Sequence, residues 1–65
     1  MRLDRAKFAA AVAVADVKMG ELAERSGLSR ATITAVKSGK SCSSETAAKL
    51  AAGLGVAVSD LCAQA

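Results

Sequence analysis

Four cations, Arg25, Arg30, Lys37 and Lys40, stand between Arg25 and Ser44 with no acidic side chain among them. The rest of the chain has five basic and six acidic residues, a balance of −1, so this stretch supplies the whole of the net charge of +3. Unopposed guanidinium and ammonium groups attract a polyanion, and each one that neutralises a phosphate releases a condensed counterion. The plainer reading is a solvated basic face. Other chemistries find less support. There is no His, the carboxylates are scattered, and neither cysteine has a base beside it, so acid–base or nucleophilic catalysis is not expected. Cys42 and Cys62 are 20 residues apart. That spacing matches no zinc pattern, and two thiolates alone leave a metal short of ligands. They read as free thiols in a reducing compartment, with a disulfide as the alternative. Gly53-Leu54-Gly55 lacks the third glycine and the preceding strand of a dinucleotide site, so it reads as a helix stop. No cofactor and no metal are expected.

The cations need elements to hold them, and residues 19–36, MGELAERSGLSRATITAV, supply the pattern. Leu22, Ala23, Gly27, Leu28, Ile33 and Val36 are apolar or small, with polar residues in most gaps. This reads as a short helix, a tight turn and a second helix packed steeply against the first. Ala23 is small where the helices would cross. Gly27 stands where the chain must turn, and glycine reaches positive φ without steric cost. Ser29 can cap the second helix through its hydroxyl. Ile33 and Val36 face the core, which leaves Arg30, Ala31, Thr32 and Thr34 outward. A helix-turn-helix presents its recognition helix to DNA in this way.

A chain of 65 residues is a single domain, residues 1–65, near the lower limit for folding without a disulfide or metal. Hydrophobic residues make up 52%, mostly small ones, with one Phe and no Trp, Tyr or Pro, which suits closely packed short helices. The fold class expected is all-α, five helices around one core. The first spans about Leu3 to Ala15, with Phe8, Ala11, Val12 and Ala15 on one stripe. The second spans about Met19 to Arg25, with Asp16 or Lys18 at its start. The third spans about Arg30 to Lys37 and stops before Ser38-Gly39. After the polar loop Lys40–Ser43, Ser43 caps a fourth helix from Ser44 to about Gly53, with Glu45 in its first turn and Ala47, Leu50, Ala51 and Leu54 buried. Gly55 closes it, and a fifth helix is expected from about Val58 to Ala63, with Ser59 as its cap. The basic N-terminus followed by Phe8–Ala15 imitates a secretory leader, but Asp4 interrupts the basic region. The apolar run is short, and its removal would strip a helix the domain needs. It is also far too short to span a bilayer, so no membrane partner is expected.

The stretch from Glu21 to Lys40, continued by Ser43, Glu45-Thr46, Lys49-Leu50-Ala51, Leu54-Gly55-Val56 and Asp60-Leu61, closely resembles the Cro/CI-type helix-turn-helix domains of phage repressors and xenobiotic-response-element-like regulators. The resemblance covers about residues 8 to 62, with the motif at about 19–37. It implies a lambda-repressor-like fold of five helices, acting as a dimer on a palindromic operator in double-stranded DNA, in a bacterial or phage-encoded cytoplasmic protein. It also implies base contacts from Arg30, Ala31, Thr32 and Thr34. Arg30 could bind guanine O6 and N7, and Ala31 or a threonine methyl could touch a thymine methyl. Phosphate contacts would fall by the same resemblance to Ser38, Lys40, Ser41 and Ser43; this chain's own residues add Lys37, Lys18 and the Met19 backbone at the start of the second helix.

Two departures stand out. Relatives often carry Gln where this chain has Met19, so that phosphate clamp is missing. Many also pair an arginine of the first helix with a glutamate of the third, where Val12 and Lys37 stand here. Losing both avoids an unpaired buried charge and frees Lys37 to face DNA. The duller readings are that Arg30 grips phosphate only, that Met19 fills the edge of the core, and that Thr32 and Thr34 are mere surface. Dimerisation is expected through Leu54, Val56, Val58, Leu61 and Cys62, or alternatively through Val14 and its alanine neighbours. The leading function is a sequence-specific transcriptional repressor. The alternatives are an antitoxin or anti-repressor whose partner is a toxin or another repressor, and a DNA-architectural factor assisting an integrase in excision.

Overall fold

The computed structural model describes residues 1–62 and contains four α-helices: α1 (Arg5–Ala15), α2 (Met19–Ser26), α3 (Arg30–Lys37) and α4 (Ser44–Leu54). Their ends follow from local chemistry. The Asp4 carboxylate accepts the Lys7 N–H at 2.9 Å to cap the alanine-rich α1. Helix α1 ends at Asp16, which turns left-handed at φ 53°, a conformation that Asp tolerates better than most residues. Asp16 therefore closes α1 rather than opening α2. The start of α2 is Lys18, whose N–H is accepted by Glu21 at 3.1 Å. Ser29 and Ser43 accept the N–H groups of Thr32 and Thr46 at 3.2 and 3.1 Å, capping α3 and α4. Gly55 closes α4 at φ 73°.

The fifth helix expected over residues 58–63 is instead a single 3₁₀ turn, Val58–Asp60; Ala63 lies outside the described residues. Its cap is not Ser59. The Asp60 carboxylate accepts the Ala57 N–H at 3.1 Å. Beyond Asp60 the chain is recruited by the N-terminus, where the Leu61 carbonyl accepts the Asp4 N–H at 2.8 Å and Cys62 pairs with Leu3 in an isolated antiparallel bridge. Leu3 is thus extended rather than the first residue of α1, and its side chain is buried in the core. Met1 pairs with the other cysteine: its carbonyl accepts the Cys42 N–H at 2.6 Å and its nitrogen donates to the Cys42 carbonyl at 2.8 Å. The N-terminal segment consequently fastens the loop after α3 to the end of the described chain.

Phe8, Leu22, Ile33, Leu50 and Leu61 form the centre of the core, and α2 packs most extensively on α4. Gly53 makes that approach possible. A Cβ there would stand 3.3 Å from both Leu22 Cδ1 and the Ser26 backbone nitrogen, so Gly53 is a contact point as well as part of a helix ending. Among the described residues no buried side-chain nitrogen or oxygen lacks a partner, and no helix is long and apolar enough to cross a membrane.

Candidate nucleic-acid interface

The turn between α2 and α3 is residues 27–29. Gly27 takes φ 72° and donates its N–H to the Ala23 carbonyl at 2.9 Å, which ends α2 and redirects the chain. Ser26, which spacing alone does not single out, stitches this turn together. Its buried hydroxyl donates to the Leu22 carbonyl at 2.7 Å and accepts the Leu28 N–H at 3.3 Å. Ser26→Ala leaves the Leu28 N–H without that acceptor and is expected to destabilise the domain by about 1–3 kcal/mol, read from the denaturation midpoint.

Ile33 and Val36 are buried, and this rotates the first turn of α3 outward: Arg30, Ala31 and Thr34 are exposed. Thr32 differs from the other three. It is half-buried, and its hydroxyl is 2.9 Å from that of Ser29, so its polar atoms belong to the cap. Further along, Lys37, Ser38, Lys40, Ser41 and Ser43 are all exposed, as is Lys18 at the start of α2. Ser38 and Ser43 already donate locally, to the Ala35 carbonyl and the Thr46 hydroxyl.

The charge pattern is sharper than the sequence suggests. Arg25, counted among the unopposed cations, approaches Glu21 at 4.0 Å one helical turn earlier. The other ion pair among the described residues is Lys49–Glu45 at 3.4 Å, so Lys18, Arg30, Lys37 and Lys40 stand without carboxylate partners within that range there. Arg5 joins them from α1. Its Cδ lies 3.4 Å from where a Gly39 Cβ would stand, and it shares a shallow surface with Asp4, Ala9 and Lys37. No spacing signal in the chain relates Arg5 to residue 39, and only the packing of α1 brings them together.

Val12 and Lys37 line one cleft of about 300 Å³, together with Phe8, Val17, Lys18, Met19, Leu22 and Ile33. The structure thus joins the two positions that the resemblance couples. The Met19 side chain is half-buried at the edge of the core. Of the residues expected at a dimer surface, Leu61 is 0% and Leu54 7% exposed, which places both in the protomer's own core. Val56, Val58 and Cys62 are half-buried. Cys42 and Cys62 are free thiols.

Two short helices joined by a capped three-residue turn, the second opening on an exposed cationic turn, define a helix-turn-helix domain. A family model described as Helix-turn-helix matches residues 15–61, and the chain belongs to that Cro/CI-type family. Membership supports DNA binding. No curated protein and no solved structure gives a significant match.

Proposed function

We propose that the protein is a sequence-specific transcriptional repressor that lays α3 in the major groove of double-stranded DNA. The observation that carries this reading is the exposed first turn of α3, with Arg30 outside any ion pair among the described residues and Lys18, Lys37, Lys40 and Arg5 around it. Arg30, Ala31, Thr34 and the Thr32 methyl read base edges. The flanking lysines, Met19 N–H, Ser38, Ser41 and Ser43 hold phosphate, which fixes register without specifying sequence. Selection of bound sites from random duplex DNA tests it. The expected result is an enriched palindrome, whereas binding without any enriched sequence would favour an architectural role.

The protein acts as a dimer, with recognition helices about 34 Å apart on successive turns of one DNA face. An apolar strip supports this. Val14 is 87% exposed on α1 and borders a groove shared with Ala10, Ala11 and Val56 and edged by Lys7 and Asp60, so α1 and the chain after α4 form one continuous surface. Charge placed at Val14 is expected to give a monomer by sedimentation. An antitoxin or anti-repressor would use the same strip on a toxin or repressor, and would then co-purify with that partner at stoichiometric ratio.

Lys37 tests the phosphate assignment. Lys37→Glu is expected to weaken DNA binding and to reduce the slope of log K against log salt by about 1 or more. Its melting temperature should be nearly unchanged, because the side chain is exposed. Unchanged binding would make Lys37 a solvated surface charge.

A further inference from the structure

Gly20 occupies the second position of α2, where alanine would favour the helix and where no left-handed φ requires glycine. Space explains it instead. A Cβ at Gly20 would stand 2.8 Å from Arg30 Nη2 and 3.8 Å from Arg30 Cζ. The guanidinium of the first residue of α3 therefore lies directly over the backbone at the start of α2. Among the described residues no carboxylate lies within ion-pair range of it. Glu21, the acid in that turn, accepts the Lys18 N–H and faces Arg25. Among the described residues the Arg30 guanidinium has no ion-pair partner, so it packs over Gly20 with its donors left for a ligand.

We infer that Gly20 is a positioning residue for Arg30: its missing Cβ forms a seat that orients the guanidinium before DNA arrives. The inference rests on the reading that α3 meets DNA through Arg30. Long side chains lose rotamer freedom on binding, and a pre-oriented one loses less. In Gly20→Ala the new methyl meets only the end of the Arg30 side chain and no backbone, so the fold stands, Arg30 leaves its seat and α2 gains helix propensity. Charge is unchanged.

The test measures melting temperature and affinity for wild type, Gly20→Ala, Arg30→Ala and the double variant, on the duplex that wild type enriches from a random pool, or on random-sequence duplex if none is enriched. For Gly20→Ala the expected result is a melting temperature no lower than wild type and affinity weakened about two- to tenfold. In the Arg30→Ala background the same change should have no effect. If Arg30→Ala weakens binding but Gly20→Ala does not, the seat is overturned while the DNA reading stands. A Gly20→Ala loss that persists without Arg30 also overturns it, because the effect then runs through something else. If wild type binds no duplex, or Arg30→Ala binds as wild type does, the underlying reading fails and the seat falls with it.

Discussion

Arg30→Ala is expected to weaken binding to the preferred duplex by about 1–3 kcal/mol, roughly five- to 150-fold. Stability should stay within about 0.5 kcal/mol, since the side chain is exposed and makes no ion pair among the described residues. Competition binding against a panel of single-base variants separates two versions of its role. A bidentate contact to guanine O6 and N7 predicts that discrimination collapses at one base pair while the other positions keep theirs. A phosphate contact predicts uniform weakening across the panel and a salt slope lower by about 1. An unchanged affinity would remove Arg30 from the interface altogether.

Phe8→Ala carries the largest expected effect on stability. Phe8 is the only aromatic residue in the chain and is 2% exposed, against a core otherwise made of aliphatic side chains. Truncating a buried Phe costs about 3–5 kcal/mol in transfer and cavity terms. A single core of this size rarely supplies a net stability above about 3–5 kcal/mol. The loss matches that ceiling, so the variant should lose its cooperative thermal transition, as read by far-ultraviolet circular dichroism. A clear transition within a few degrees of wild type would mean that the core is organised around something other than Phe8.

Where chain-local chemistry sets the structure, the sequence is easy to read. Helix α3 begins at Arg30 and ends at Lys37 as the spacing predicts, because Ser29 caps one end and Ser38-Gly39 stop the other. The buried stripe Ala47, Leu50, Ala51 and Leu54 is equally local. The chain end was not legible for the opposite reason. Val56, Val58, Leu61 and Cys62 have spacing that suits a helix, but the Leu3–Cys62 bridge straightens the last of them, and that pairing links opposite ends of the chain. Periodicity also cannot distinguish an apolar residue facing its own core from one facing a partner, so Leu54 and Leu61 read as a dimer surface.

In the candidate interface, the outward turn of α3 followed from Ile33 and Val36. Thr32 did not, because nothing in its position separates a hydroxyl turned toward DNA from one turned back to Ser29. Arg25 could have been discounted on the sequence, since Glu21 stands one helical turn before it, a spacing that favours pairing. Arg5 beside Gly39 and Arg30 over Gly20 depend on how separate helices pack, and no reading of one segment at a time reaches them.

Titration of isotope-labelled protein with a short duplex, followed through its backbone amide resonances, tests the assignment of the DNA-binding face most directly. Shifts are expected to concentrate at residues 18–20, 29–34 and 37–43 and at Arg5, fading as salt is raised, with Val14 and its neighbours on the outer face of α1 little moved. Shifts confined to that outer face and to residues 56–62, or none at low salt, would contradict that assignment.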